Sequence, residues 1–205
     1  MCIIRLIQFW TSENRIPIME KNKWPPGDLV IWFFILAELL VFGVFFAAYA
    51  FTRANNIELF NEYQLTLDRN AALINTVALI TSSYFVVRAV AAIRDDNSSR
   101  CFHWLLGALF MGVVFLVVKG MEYHHHFSQG INLSTNTFYM FYLSLTFFHF
   151  LHVILGMIIL LAVALKARSG GYSAAEHTGV ETGASYWHMV DLVWMVLFPL
   201  VYVMR

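Results

Sequence analysis

The sequence predicts an all-α integral membrane protein, a bundle of five transmembrane helices. Three observations lead there. The first is composition: 60% of the 205 residues are hydrophobic and only 13% are charged, whereas soluble domains run at about 45–50% apolar and about 25% charged. The second is continuity. Crossing the hydrocarbon core takes about 20 mainly apolar residues in a helix, and such stretches occur near 28–51, 70–93, 102–122, 138–166 and 185–204. The third is punctuation, since polar or turn residues bound each stretch: Pro25-Pro26-Gly27, Asn55-Asn56, Asp95 to Ser98, Ser134 to Asn136 and Ser169-Gly170-Gly171. A membrane β-barrel would instead alternate over segments of about ten residues, and that pattern does not occur here.

The chain divides into an N-terminal segment, 1–27, and one membrane domain, 28–205. "MCIIRLIQFW" has an apolar run too short and interrupted for a signal peptide, so it is read as interfacial and cytoplasmic. The Lys and Arg residues set the orientation. Arg5, Arg15, Lys21, Lys23, Arg88, Arg94, Arg100, Lys166 and Arg168 fall on one side; Arg53, Arg69, Lys119 and Arg205 fall on the other. The excess places the N-terminus in the cytoplasm and the C-terminus in the periplasm, with a multi-pass chain in the bacterial inner membrane. Cys2 and Cys101 then face the compartment where thiols stay reduced. The net charge is zero and no basic tract occurs, so nucleic acid is not an expected partner. The segment 166–184, which contains Gly and Ser, reads as a flexible cytoplasmic loop.

An ionisable side chain within a span is expensive unless partnered, and so marks a functional position. Five qualify: Glu38, His149, His152, His188 and Asp191. A rise of 1.5 Å per residue puts Glu38 about 15 Å from one edge and His149 about 17 Å from the other. Asp191 lies about 9 Å in, near the level of His152. Two layers follow, Glu38 with His149 and His152 with Asp191, if the first, fourth and fifth spans are neighbours. His188 and Asp191, three apart, share a helix face. The same side chains could simply bond neighbouring helices together. Alternatively, His152 and His188 could face each other as haem ligands, making the chain an autonomous b-type cytochrome. A carrier using Glu38 would show inverted repeats or broken helices, and neither is present.

"EYHHHF", 122–127, invites a metal reading, but consecutive histidines point in different directions and no Cys lies nearby. It is read as an outward-facing interfacial patch. Lys119 and Glu122, three apart, are expected to pair at the outer interface. Gly43 with Ala47, and Ala108 with Gly112, have the small-residue spacing that lets helices approach closely. Asn75, Thr81 and Ser82 suit contacts between helices, and Arg88 is expected to snorkel to the interface. There is no Gly-rich phosphate loop, CxxC pair, nucleophile elbow or HExxH.

At this point the motifs carry a resemblance. The chain resembles subunit III of the haem–copper oxidases, in its five-helix bacterial form, from about Pro26 to Arg205. "WFFILAELLVFGVFFAAY" is similar to the family helix with a buried glutamate, here Glu38. "LITSSYF" matches the hydroxyl cluster with Thr81, Ser82 and Ser83. "GVVFLVVKGMEY" matches a Gly-to-Glu-Tyr pattern at Gly112, Glu122 and Tyr123. "FYLSLTFFHFLHVILG" places His149, His152 and Gly156 on the paired-histidine motif. "SYWHMVDLVWMVLFPLVYV" matches at Tyr186, Trp187, His188, Asp191, Trp194 and Tyr202. The departures are Phe147 and Phe150 where the family has Gly, and Lys119 where it has Gln. The N-terminal helices of the longer form, which help make a lipid-filled cleft, are not matched.

With "WPPGDLVIWFFILAELLVFG" and "FPLVYVMR", these features look most like the nitric oxide reductase-associated branch, ahead of cytochrome c oxidase itself. The resemblance implies an accessory subunit of a respiratory reductase complex that is itself non-catalytic and cofactor-free. Haem, with copper or non-haem iron, would belong to the partner catalytic subunit. The chain would stabilise that partner and the other subunits, with possible support of proton uptake and bound lipid. Glu38, His149, His152, His188 and Asp191 would then form a buried polar lock.

Overall fold

The structure is a computed structural model and describes residues 26–204. The expected N-terminal interfacial segment and Cys2 lie outside those residues. Among the described residues all the regular structure is helical, and five helices are long and apolar enough to cross a membrane. They are α1 (Leu29–Asn55), α3 (Arg69–Arg94), α4 (Ser98–Ser128), α5 (Thr137–Arg168) and α6 (Thr178–Phe198). A short helix, α2 (Ile57–Gln64), joins the first two, and a π-helical turn, Pro199–Val203, extends α6.

Local chemistry explains the starts. A carboxylate or amide before the first turn accepts one of the free N–H groups there. Asp28, Asp68, Asn97 and Asn136 do this for α1, α3, α4 and α5. Gly27 introduces α1 with φ +86° beside the Thr182 backbone. A side chain there would meet both a disfavoured backbone region and a neighbouring chain. The π-helical turn begins where Pro199 lacks the N–H that an α-helix needs; Met204 N donates instead to Pro199 O at 2.8 Å.

Four helices make the core. α3 packs against α4 and α6, and α5 packs against both α4 and α6. α1 lies outside this square, against α6, with Phe42 reaching the rings of Phe148 and His152 on α5. Most of its surface faces outward: Val30, Phe33, Leu36, Leu40, Val44 and Phe51 are exposed. Such a patch would aggregate in water; in a bilayer it is the solvated surface.

Small residues act where the helices meet. Ser82 Oγ donates to Ala108 O at 2.9 Å, and Gly112 and Gly156 abut Trp187. The expected Gly43–Ala47 contact does not form: nothing lies within 4 Å of a Cβ built on Gly43, and Ala47 is exposed. α1 presents that stripe to the membrane because its larger residues, Ile35, Phe42 and Tyr49, make the buried face.

Two segments differ from the sequence expectation. α6 starts at Thr178, seven residues before the expected apolar run, because its first turns carry polar groups that bind the bundle end. Glu181 accepts from Arg94 at 2.7 Å and from Gly27 N at 3.2 Å, and lies 3.3 Å from His177. The preceding loop is therefore tied at several points: Ala174 N donates to Asp96 Oδ1, and Ser98 Oγ to Tyr172 O. The second is α2, which hydropathy alone does not reveal. It turns Phe60 and Gln64 inward, and Gln64 Nε2 donates to Val201 O at 2.9 Å.

Candidate functional site

The ionisable residues inside the helices sort into three groups rather than one cluster. In the first, His152 on α5 meets Glu38 on α1, with Nε2 to Oε2 at 3.0 Å. His152 Nδ1 lies 2.8 Å from Phe148 O. A carbonyl can only accept, so Nδ1 carries a hydrogen, and the contact with Glu38 then needs one further proton on either Nε2 or the carboxyl. The pair thus shares a single proton. Phe42 and Phe148 flank the imidazole at 5.2 and 4.6 Å between ring centres. Glu38 therefore pairs with His152, not in the same layer as His149. Replacing His152 with alanine is expected to destabilise the protein by about 1–3 kcal/mol, because Glu38 loses its partner among apolar side chains. A detergent melting curve identical to wild type would show that the pair contributes nothing.

His188 on α6 forms the second group. Its Nδ1 shares a hydrogen bond of 2.7 Å with Ser83 Oγ on α3. Asp191, one turn along, is buried but is not hydrogen-bonded to His152, so the second expected layer does not form. The physical reason is directional: His152 points toward α1 while His188 points toward α3. For the same reason the two do not oppose each other across a haem, and the b-type cytochrome alternative lacks its ligand geometry.

His149 stands apart. It is fully buried, and neither ring nitrogen has a protein partner. Phe115, Trp194 and Phe42 surround it at 5.7, 5.2 and 6.4 Å. Trp194 is itself anchored, donating Nε1–H to Thr76 Oγ1 at 3.0 Å. The imidazole works here as an aromatic ring in a box of aromatic rings.

The third group is the most fully connected. Lys119, expected at an interface, has 0% exposure and sits inside the bundle. Its ammonium donates to Glu122 Oε2 at 3.0 Å, Tyr142 OH at 3.2 Å and Tyr202 OH at 2.6 Å. Both hydroxyls in turn donate to Glu122 Oε1. All three ammonium hydrogens are used, and Glu122 Oε1 accepts from both tyrosines. The rings of Tyr123, Tyr142 and Tyr202 also lie 4.9 to 5.3 Å from Nζ, close enough for cation–π attraction. The pairing of Lys119 with Glu122 was legible from their spacing. Its depth was not, because the tyrosines that make burial tolerable come from α5 and the π-helical turn.

The histidine run divides with the helix. α4 continues through Ser128, so His124 and His125 are exposed while His126 turns inward, against Tyr139 and Tyr142. Among the described residues no group of three or more His, Cys, Asp or Glu could hold a metal ion. Arg88 is exposed and lies over the Trp104 ring at 5.2 Å. Phe147 and Phe150 stack on each other and enclose Tyr123.

The fold and these groups define a multi-pass helical membrane protein with two ionisable pairs inside the bundle, Glu38 with His152 and Lys119 with Glu122. The family model for cytochrome c oxidase subunit III matches residues 27–205. The chain is 36% identical over 174 residues to cytochrome c oxidase subunit 3 of Thermostichus vulcanus, covering 83% of this chain and 84% of that one. It is 33% identical over 220 residues to a probable cytochrome c oxidase subunit 3 of Rickettsia felis, covering 97% and 77%. A third relative, the heme-copper oxidase subunit I+III of Aeropyrum pernix, is 33% identical over 191 residues, which are 88% of this chain but 23% of that protein. The chain belongs to the cytochrome c oxidase subunit III family.

Proposed function

We propose that this chain is the accessory, non-catalytic membrane subunit of a haem–copper reductase complex in respiratory electron transport. Its role is to pack against and stabilise the catalytic subunit. One observation carries the reading: the Glu38–His152 pair and the Lys119–Glu122 network with Tyr142 and Tyr202 tie helices together, which favours a rigid bundle over a reaction site. The subunit III family supports it, and so does a relative whose name joins subunits I and III in a single chain.

The finer reading is a nitric oxide reductase-associated complex, supported by the stretch around Glu38 and by the "FPLVYVMR" ending. In that complex the haem, with copper or non-haem iron, belongs to the catalytic partner. The N-terminus faces the cytoplasm of a bacterial inner membrane. Glu38 and His152, with the proton they share, stand at the α1–α5 surface where support of proton uptake by the partner would act.

The test is affinity purification of the native chain in mild detergent, followed by an optical spectrum and mass spectrometry. Haem that arrives only with a large, histidine-rich membrane subunit is the expected result, and that subunit's turnover with nitric oxide or oxygen assigns the branch. A chain that emerges alone and carries stoichiometric haem would overturn the reading.

A further inference from the structure

A cavity of about 690 Å³ is walled by the end of α4, the connection that follows it and the first turns of α5. That is within the size range of small-molecule sites. Among the described residues no charged side chain lines it. Nothing there would hold a phosphate or an ammonium, so the chemistry selects a neutral occupant. Three aromatic residues, Tyr123, Phe127 and Phe147, share the wall. The Tyr123 ring centre lies 6.3 Å from each of the other two. Phe127 and Phe147 are 58% and 52% exposed, so both rings are open to a further flat partner.

One polar group stands out in this wall. The hydroxyls of Thr76, Thr81 and Thr146 each donate back to the carbonyl four residues earlier in their own helix. Ser144 does not: among the described residues its Oγ has no hydrogen-bond partner, and it is not sealed inside the protein. It lies seven residues past the start of α5, about 10 Å along the axis, and surrounding hydrocarbon offers it no acceptor. A saturated chain would use neither the rings nor the hydroxyl. A quinone uses both, with a flat neutral ring that packs on aromatic faces and carbonyl oxygens that accept hydrogen bonds. We propose that this cavity binds a membrane-soluble quinone. Its ring lies against Phe127 and Phe147, one carbonyl accepts from Ser144 Oγ, and its apolar tail leaves past Met140, whose side chain is exposed.

The purified complex is placed in nanodiscs with a short-tailed photoreactive azidoquinone, and the labelled peptides are identified by mass spectrometry. Label is expected within 123–147 of this chain, the stretch that lines the cavity. Decylubiquinone should compete that label away, whereas decanol, with a similar tail and no ring, should not. Ser144→Ala, which a helix accepts readily, should weaken the competition about fivefold, the worth of one uncharged hydrogen bond. Phe147→Leu keeps the wall apolar but removes a ring, and should weaken it too. Melting temperatures confirm that both variants are folded. Label confined to other subunits, or to other segments of this chain, would overturn the proposal. Equal competition by decanol would overturn it by making the cavity a groove for acyl chains. So would competition unchanged in both variants. Label present on the isolated chain but lost in the complex would also overturn it, since a partner's helix would then fill the cavity.

Discussion

Replacing Lys119 with methionine should lower stability by about 3–5 kcal/mol, the largest single effect expected in this protein. The substitution keeps an unbranched side chain only one atom shorter and removes the charge. Its severity comes from what stays behind, since breaking a buried ion pair leaves an uncompensated charge in a poorly solvating interior. Glu122 would keep two tyrosine donors but lose its cation, and Tyr142 and Tyr202 would each lose a donor. The companion experiment is the double variant K119M/E122Q. A neutral amide still accepts from the tyrosines, so the double variant should recover part of the loss, and the non-additivity measures the coupling. The readout is thermal unfolding in detergent, and a K119M melting curve matching wild type would mean the network contributes little. Lys119→Gln asks whether the tyrosine cage will accept an uncharged donor.

The second large effect is expected at Gly156. A Cβ there would stand 2.8 Å from Trp187 Cε3 and 3.2 Å from Tyr186 Cε1. Both rings are buried and held on α6, so they cannot yield without moving that helix from α5. Gly156→Ala should cost about 1–3 kcal/mol, typical of overpacking. Gly112→Ala is the control. There the nearest atom, at 2.9 Å, is the Met157 sulfur, on a side chain flexible enough to move aside, so the loss should be clearly smaller. Equal melting temperatures for the two variants would show that the α5–α6 contact is softer than its geometry implies.

Much of the architecture was legible because hydropathy reports solvent. Five apolar runs became five long helices. The helix ends were less legible. Thr178 to Ala184 is polar enough to read as loop, yet it is helical because Glu181 gathers Arg94 and Gly27 around it. The α2 helix was missed because eight residues with one buried aromatic give no membrane signal. At the candidate site, spacing along one chain revealed Lys119 with Glu122, whereas partners across helices were invisible. Glu38 was matched with His149 by depth alone. The choice of His152 depends on which way each imidazole points from α5, and a one-dimensional depth estimate carries no azimuth. Ser83 and the two tyrosines illustrate the same gap: ordinary residues became partners only when another helix came alongside.

The π-helical turn at Pro199–Val203 acts as a phase adjustment. Fitting an extra residue into one turn rotates everything after it about the helix axis, so the direction in which Tyr202 projects is set by Pro199 as much as by its own place in the chain. Tyr202 supplies the shortest contact to the Lys119 ammonium, and Gln64 from α2 holds the loosened backbone at Val201. Accommodation of the Lys119 charge inside the bundle thus depends on a proline at the end of α6 and a glutamine in a connecting helix. Insertions or deletions near the C-terminus should accordingly be felt at Lys119 before they are felt anywhere else in the bundle.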